Sequence, residues 1–358
     1  MTTVASFEIA YHQYLDANGV TVRDMPGFAH DAARLLELYR SMLRTRLFDR
    51  KAVALQRTGQ MGTYASSLGQ EATAAGVGAA MRSEDVFLPT YREQGVYLAR
   101  GVSMAELLLY WGGDERGMAF ADVSDDFPVA IPIATHLPHA VGVAWAFQYR
   151  KQARVAVGMC GDGATSKGDF YEAINAAGVW QLPCVFVVVN NGWAISMPRA
   201  QQSRCETLAQ KAIAAGIPGE QVDGNDVIAV LDRVGAALER ARSGGGPTLV
   251  ETLSYRVSDH TTADDATRYR SEAEVRAQAA RDPIDRLRRY LVKAGALSET
   301  AEADIKRELE LELESAVAEY LATPPRGTGT MFDCLYAALP DALAPQRDEC
   351  LREYPDDG

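Results

Sequence analysis

The feature that most constrains this chain is a strand–helix–strand pattern that ends in a polar stretch. Apolar runs at 154–160 and 184–189 flank a helix-like segment at 169–180. This order is typical of a βαβ unit, in which the two strands are parallel and a helix crosses between them. A helix-like segment at 226–242 and an apolar run at 248–257 repeat the alternation. We therefore predict an α/β protein with a doubly wound parallel sheet.

The rest of the chain divides around this sheet. Residues 1–30 are predicted to be an N-terminal arm, residues 31–330 the α/β domain, and residues 331–358 a C-terminal tail. Further helices are expected over 31–57, 70–81 and 137–149, and a short strand over 85–88. The 137–149 helix is apolar on several faces, which favours burial or a subunit contact. The charged region after Asp282 is expected to be helical, although Glu and Leu alternate over 307–314.

The composition of the chain argues against several classes of protein function. The chain has 358 residues and a net charge of −12, and its basic residues are scattered, which argues against nucleic acid as a partner. No apolar run is long enough for a membrane span, and no signal peptide is recognisable. The five cysteines show no CxxC pair, which favours buried thiols in a reducing cytoplasm over disulfides or zinc. They are Cys160, Cys184, Cys205, Cys334 and Cys350.

The polar stretch begins with Gly161-Asp162-Gly163, and two familiar nucleotide sites do not fit it. In the dinucleotide fingerprint the backbone approaches the pyrophosphate closely, and Asp162 would repel that group. A P-loop requires Lys and then Ser or Thr after its last glycine. Asp169 and Phe170 follow Gly168 here. A different anion or cation chemistry is therefore indicated.

An aspartate in a tight turn suits a magnesium ion. Asp162 follows one strand and Asn191 follows the next, so both belong to the carboxyl edge of the sheet, where ligands of such folds bind. Magnesium prefers oxygen ligands and commonly retains one or two from the protein beside substrate phosphates. Asp162, the side-chain oxygen of Asn191 and the backbone carbonyl of Trp193 are the candidate ligands. Backbone N–H groups of Gly163 and Ala164 are then available to a diphosphate.

These motifs resemble those of a known family. It is the α subunit of the thiamine-diphosphate-dependent 2-oxo acid dehydrogenases, the decarboxylating first component of the pyruvate and branched-chain complexes. The family carries GDG followed near thirty residues later by NN, and Asn191 lies 29 positions after Asp162. The likeness covers most of residues 30–340. It includes the segments Gly69–Ala72, Pro89–Glu93, Thr207–Val222 and Tyr255–Arg270.

The resemblance implies a thiamine-diphosphate-binding fold and specific roles for single residues. Asp162, Asn191 and the Trp193 carbonyl would hold Mg²⁺. Four residues would contact the diphosphate: Gly163, Ala164, Tyr91 and Arg92. Ile131 and Ile133 would meet the aminopyrimidine through backbone groups. One family contact is missing, because the branched-chain enzymes place arginine immediately before the paired asparagines, where this chain has Val189.

His260 is the predicted catalytic residue. It lies in the polar loop Ser258–Tyr269, which resembles the active-site loop of the family and is expected to become ordered when the diphosphate binds. An imidazole with a pKa near neutrality can move protons or stabilise an anion. In the family this histidine contacts the cofactor and serves the region of the substrate carboxylate and the transfer to the lipoyl group. His136 and His139 are three positions apart, but no third ligand is evident and both are interpreted as structural.

The implied activity is oxidative decarboxylation of a 2-oxo acid with reductive acyl transfer to a lipoyl group. The glutamate that activates the cofactor comes from a separate β subunit in the family, so an α2β2 heterotetramer with a lipoyl-bearing acyltransferase as partner is implied. Pyruvate is slightly favoured as substrate, from the segment Thr207–Val230 and partly from the N-terminal arm, although NNGWAIS and HTTADD favour branched-chain types. A branched-chain 2-oxo acid or acetoin remains an alternative. A non-catalytic interaction subunit that retained the fold is the alternative from another class.

Overall fold

A computed structural model describes residues 1–333 and 335–355 of the chain. Its centre is a six-stranded, fully parallel sheet in the order β1-β7-β8-β4-β3-β2. A two-stranded antiparallel hairpin, β5-β6, stands apart from it. The strands are β1 Tyr11–His12, β2 Val86–Leu88, β3 Ala156–Gly161, β4 Cys184–Asn190, β5 Trp193–Ala194, β6 Met197–Pro198, β7 Gly219–Asp223 and β8 Thr248–Leu253.

Helices cover both faces of the sheet and form most of the C-terminal region. They are α1 Ala32–Arg57, α2 Glu71–Ala80, α3 Gln94–Ala99, α4 Met104–Trp111, α5 His136–Tyr149, α6 Gly168–Trp180, α7 Arg199–Gln202, α8 Lys211–Ala214, α9 Val227–Arg242, α10 Glu272–Ala279, α11 Pro283–Lys293, α12 Glu299–Ala322, α13 Thr330–Asp333 and α14 Ala344–Glu353. The predicted doubly wound α/β fold with a helical C-terminal region is confirmed.

Local chemistry explains where the main helices begin. Asp31 precedes α1 and accepts hydrogen bonds from the backbone N–H groups of Ala33 and Arg34. Asp226 does the same for the first turn of α9, with acceptor contacts to Ile228 and Ala229. Such side chains satisfy N–H groups that have no partner inside the helix. The predicted helices at 31–57 and 226–242 are therefore confirmed to within one residue of their ends.

The last strand is shorter than predicted. Sequence analysis extended it to residue 257, whereas β8 ends at Leu253. Beyond that point the N–H of Ser254 bonds to the carbonyl of Asn190, and the N–H of Arg256 bonds to that of Asn191. The chain therefore follows the polar end of β4 instead of continuing as a regular strand, which brings the next loop onto the carboxyl edge. The alternating Glu and Leu of 307–314 lie within α12, as predicted.

Two hydrophobic cores lie on the two faces of the sheet. One joins α9 to the sheet, and α2, α1 and then the C-terminal helices α11 and α12 pack behind it. The other joins α5, α6 and α8 to the opposite face, where Phe186 and Leu249 are buried. The strands between them are apolar on both sides, as expected for a parallel sheet covered by helices. In the part of the chain that the structure describes, no helix is both long and apolar enough to cross a membrane.

The N-terminal arm is joined to the sheet. Its short strand β1 pairs with β7, and the N–H groups of Tyr14 and Leu15 both donate to the Asp226 carboxylate at 2.7 Å. A two-residue strand gives too little sequence pattern to be foreseen. Cys160 and Cys184 are buried free thiols, and Cys205 and Cys350 are free and partly exposed. Cys334 and the end of the predicted tail, 356–358, lie outside the described residues.

Candidate active site

Strand register brings the two halves of the polar stretch together. Gly161 at the end of β3 stands opposite Val189 of β4, so Asp162 and Asn191 emerge from neighbouring strands at the same edge. A cavity of about 220 Å³ opens there. It is lined by Gln70, Thr90, Tyr91, Arg92, Glu93, Ile133, Gly161, Asp162, Gly163, Ala164, Val189, Asn191, Trp193, Ala194, Ile195, Arg256 and His260.

Asp162 is a buried acid. Its side chain is 2% exposed, and among the described residues it makes no ion pair. One carboxylate oxygen accepts a hydrogen bond from the Gln202 side-chain amide at 3.0 Å. Burial raises the pKa of Asp162 above its ordinary range, because the charged form loses its hydration. A divalent cation beside this carboxylate would offset that cost, so the site fits a metal on its own chemistry.

The remaining candidate metal ligands also face the cavity. The side-chain amide nitrogen of Asn191 donates to the Gln70 side-chain oxygen at 3.1 Å. The side-chain oxygen of Asn191 accepts from the backbone N–H of Trp193 at 3.3 Å. Gly192 between them has a φ of +86°, a conformation that favours glycine. Asn191 and Trp193, on the two sides of this glycine, both line the cavity. The roles of Asp162, Asn191 and Trp193 as metal ligands stay predictions.

Arg92 reaches the cavity from the loop before α3. Its guanidinium donates to the carbonyl of Ser66, and to the carbonyl of His260 at 2.8 Å. The neighbouring Glu93 is buried and accepts from the backbone N–H and hydroxyl of Thr90 at 2.9 and 2.7 Å. Burial raises the pKa of Glu93 above its ordinary range, because the charged form loses its hydration. Glu93 therefore holds the Thr90–Arg92 turn that presents both predicted diphosphate contacts.

His260 lies between two arginines. Its Nδ1 atom is 3.2 Å from an Arg92 nitrogen and 3.3 Å from an Arg256 nitrogen. Guanidinium groups only donate hydrogen bonds, so Nδ1 is the acceptor and the ring's proton sits on Nε2. Burial, followed by the charges of Arg92 and Arg256, lowers the pKa of His260 to about 4. The imidazole is therefore neutral at physiological pH, and Nε2 is its donor.

Sequence reasoning missed Arg256. It is 1% exposed and donates to the carbonyls of Trp193 and Ile195 at 3.3 and 2.7 Å and to the Tyr269 hydroxyl at 2.8 Å. Within the described residues it makes no ion pair, and its Nε has no hydrogen-bond partner. Burial lowers its pKa. The absence of arginine at Val189 was the one signal that a cation elsewhere had to face the cavity.

The other predicted contacts divide by position. Gly163, Ala164, Tyr91 and Ile133 line the cavity. Ile131 does not, and its side chain is 54% exposed. The contact predicted for Ile131 is made by its backbone, so the exposure of its side chain does not test that prediction.

His136 and His139 do not converge on one point. His136 is buried, with Nε2 at 2.6 Å from the carbonyl of Met159, whereas His139 stacks on Phe127 with ring centroids 6.2 Å apart. Burial lowers the pKa of His136 to about 4. Across the described ranges, no three His, Cys, Asp or Glu side chains cluster as ligands of a metal. A metal at Asp162 would therefore depend on amide, carbonyl and phosphate oxygens.

A parallel sheet with a charged cavity at its carboxyl edge is the architecture of a cofactor-dependent enzyme. Residues 39–327 match the family model described as dehydrogenase E1 component. The 3-methyl-2-oxobutanoate dehydrogenase subunit alpha of Mycobacterium tuberculosis is 42% identical over 319 residues, covering 88% of this chain and 86% of that protein. The pyruvate dehydrogenase E1 component subunit alpha of Staphylococcus aureus is 38% identical over 347 residues, covering 96% and 93%.

The chain belongs to the dehydrogenase E1 component family, as an alpha subunit of the thiamine-diphosphate-dependent 2-oxo acid dehydrogenases. The resemblance drawn from the GDG and NN motifs is confirmed at this level. The relatives act on two different 2-oxo acids by name, so they do not decide between the predicted substrates. Their designation as alpha subunits implies a partner subunit.

Proposed function

We propose that this chain is the α subunit of a pyruvate dehydrogenase first component. In this role it would bind Mg²⁺ and thiamine diphosphate, decarboxylate pyruvate together with a β subunit, and transfer the acyl group reductively to a lipoyl group. A lipoyl-bearing acyltransferase would be the next component of the complex. Support for pyruvate comes from the Staphylococcus aureus relative, whose match includes nearly the whole chain.

One observation carries the cofactor assignment: the charges in the cavity are separated. Asp162 on one side makes no ion pair, and neither do Arg92 and Arg256 on the other, within the described part of the chain. Groups of opposite charge that face one cavity without pairing leave their partners to a ligand. A metal ion with a diphosphate supplies both, because the cation meets the acid and the phosphates meet the guanidinium groups.

The chain's own residues would then perform defined tasks. Asp162, Asn191 and the Trp193 carbonyl would hold the metal, and Tyr91, Arg92, Gly163 and Ala164 would orient the diphosphate. Thiamine diphosphate, when bound, supplies the group that accepts the electrons released by decarboxylation.

His260 would contribute a hydrogen bond from Nε2. In the neutral form the Nε2 N–H can donate a hydrogen bond to a developing anion. Because two arginines fix Nδ1, the orientation of the ring is set before substrate binds. His260 would thereby serve both the diphosphate and the reacting acid, and Ile131 and Ile133 would meet the aminopyrimidine through backbone groups.

A second subunit is supported by α5, which begins three residues after Ile133. This helix has no Asp, Glu, Lys or Arg, yet one side of it is exposed. Trp145 is 53% exposed and Tyr149 78%, and their rings stack at 5.8 Å. A charge-free aromatic face next to a cofactor cavity is typical of a subunit interface. We assign this face to the β subunit of an α2β2 heterotetramer, in keeping with the predicted subunit contact.

A second substrate has a specific observation in its favour. The Mycobacterium tuberculosis relative, which is named for a branched-chain 2-oxo acid, has the higher identity of the two, 42% against 38%. We therefore compare pyruvate with 3-methyl-2-oxobutanoate in one assay. Acetoin serves as the third compound.

The test uses the chain co-expressed with its β subunit. We expect kcat/KM for pyruvate to exceed that for 3-methyl-2-oxobutanoate, and Asp162→Ala to abolish turnover while the heterotetramer remains intact. The reverse substrate preference would transfer the assignment to the branched-chain enzyme. Full turnover by the Asp162→Ala assembly, or by the α chain alone, would refute the proposed catalytic role.

A further inference from the structure

Two buried charged side chains, Lys211 and Glu251, lie behind the cavity. Lys211 at the start of α8 is 5% exposed, and Glu251 in the middle of β8 is fully buried. Neither makes an ion pair in the described portion of the chain. Burial of an isolated charge is costly, so such groups persist where several hydrogen bonds to the charged form compensate for lost water.

Lys211 forms hydrogen bonds with the turn that bears Asp162. Its ammonium donates to the carbonyl of Thr165 at 2.5 Å and to the Thr165 hydroxyl at 3.0 Å. That hydroxyl in turn donates to the backbone carbonyl of Asp162 at 2.8 Å. The ring of Tyr171 lies 5.1 Å from the ammonium, within the range of a cation–π contact. Thr165 has no exposed surface, so the contact is entirely internal.

Glu251 is attached to the other half of the site. One carboxylate oxygen accepts from the side-chain amide of Asn190 at 2.7 Å. The other accepts from the backbone N–H of Ala209 at 3.0 Å and from the Gln221 side chain at 3.1 Å. Asn190 is the last residue of β4 and directly precedes Asn191. Ala209 lies two residues before Lys211.

The segment 209–211 thus connects the two turns of the site from behind. Through Lys211 it holds the Asp162 turn, and through Glu251 it is joined to the end of β4. We infer that Lys211 and Glu251 are positioning residues that fix the spacing between Asp162 and Asn191 before the cofactor binds. This inference rests on the proposed binding of Mg²⁺ and thiamine diphosphate at those residues. Neither side chain lines the cavity, so both would act without touching the ligand.

The physical reason is the geometry that the metal demands. Magnesium accepts little deviation from octahedral coordination, so ligands on separate turns must be held in place. Charged groups give stronger hydrogen bonds than neutral ones and hold backbone atoms more tightly. Removing either charge would let one turn relax relative to the other. Ligand binding would then have to restore the spacing and would become weaker.

The test measures binding to the assembled heterotetramer. Lys211→Met and Glu251→Gln each keep the side-chain size and remove the charge. We expect each to raise the Kd of thiamine diphosphate at saturating Mg²⁺ about tenfold in titration calorimetry. Hydrogen exchange at the backbone amides of 162–166 and 190–193 should also become faster. The control is Lys293→Met on α11, an exposed lysine that should change neither quantity.

The double variant separates positioning from general destabilisation. If both residues fix the same spacing between Asp162 and Asn191, the Kd of the double variant should rise by less than the product of the two single effects. Unchanged Kd in both single variants would overturn the inference while leaving the proposed function in place. Absence of cofactor binding by the wild-type assembly would overturn both. Should Lys211→Met not fold, Thr165→Val removes the relay hydroxyl with little change in volume and is held to the same expectation.

Discussion

Arg256 donates a hydrogen bond to the carbonyl oxygen of Trp193 at 3.3 Å. That oxygen is the proposed backbone ligand of the metal, and the same arginine touches His260 and Tyr269 of the loop Ser258–Tyr269. A metal at the Trp193 carbonyl would therefore share or displace this contact. Loop position and metal binding would thus be coupled through one side chain.

Replacing Arg256 tests this coupling. Arg256→Met removes the donors that hold His260 and Tyr269, and a hydrogen bond involving a charged group contributes roughly 1.5–3 kcal/mol. We expect the affinity for thiamine diphosphate to fall roughly 10- to 100-fold, since about 1.4 kcal/mol corresponds to tenfold. Limited proteolysis should then cut the loop Ser258–Tyr269 equally with and without cofactor.

The matched control is Arg268→Met, because Arg268 is an exposed arginine of the same loop. It should retain wild-type affinity and cofactor-dependent protection. Full protection of the loop in Arg256→Met would contradict the coupling.

Replacing Asp162 should change folding stability and cofactor binding in opposite directions. Its pKa is raised by burial, so folding favours the neutral form, and the ionised carboxylate costs stability at pH values above its unfolded pKa of 3.8. Asp162→Asn removes that charge with little change in shape. At pH 7 without Mg²⁺ we expect a higher thermal midpoint than wild type, by roughly 2–4 °C for each kcal/mol gained.

Adding Mg²⁺ with thiamine diphosphate should raise the midpoint of the wild-type heterotetramer but not that of Asp162→Asn. Differential scanning calorimetry gives both quantities. A lower midpoint for Asp162→Asn in the metal-free protein would mean that Asp162 is already compensated, against the charge separation argued above.

His260 should make the folding stability of the protein decrease as the pH falls. Its pKa is about 4 in the folded protein and ordinarily 6.5, so the unfolded chain binds the proton more readily. Its contribution to stability is complete above pH 6.5 and declines as the pH falls toward 4. We therefore expect the thermal midpoint of wild type minus that of His260→Gln, both without cofactor, to decrease between pH 8 and pH 5. A pH-independent difference would show that neither burial nor the two arginines lower the pKa of His260.

The parts of the site that could be predicted are those written as local patterns. Asp162 and Asn191 belong to a strand–helix–strand unit, and neighbouring parallel strands necessarily end at the same edge of the sheet. Their meeting therefore follows from sequence spacing and secondary structure.

Other residues of the site carry no such pattern. Arg256 and Lys211 act through contacts that depend on how distant segments pack, such as the bond from Lys211 to Thr165 across 46 positions. A buried arginine and a surface arginine look alike in a sequence, because charge type does not reveal burial. The same limit applies to β1, whose two residues pair with β7 more than two hundred positions later.

Gly163 tests how closely the Asp162 turn must approach the β5-β6 hairpin. A β-carbon on Gly163 would lie 2.7 Å from the β-carbon of Ala194, closer than two such carbons approach. Gly163→Ala should therefore push the turn and hairpin apart and displace Asp162 from the Trp193 carbonyl. We expect the Kd for thiamine diphosphate to rise at least tenfold, measured by quenching of tryptophan fluorescence in the heterotetramer. Gly168→Ala is the control, since its β-carbon would meet only Glu172, at 3.7 Å. Equal affinity in the two variants would show that the hairpin yields without cost and that the close approach is not required for binding.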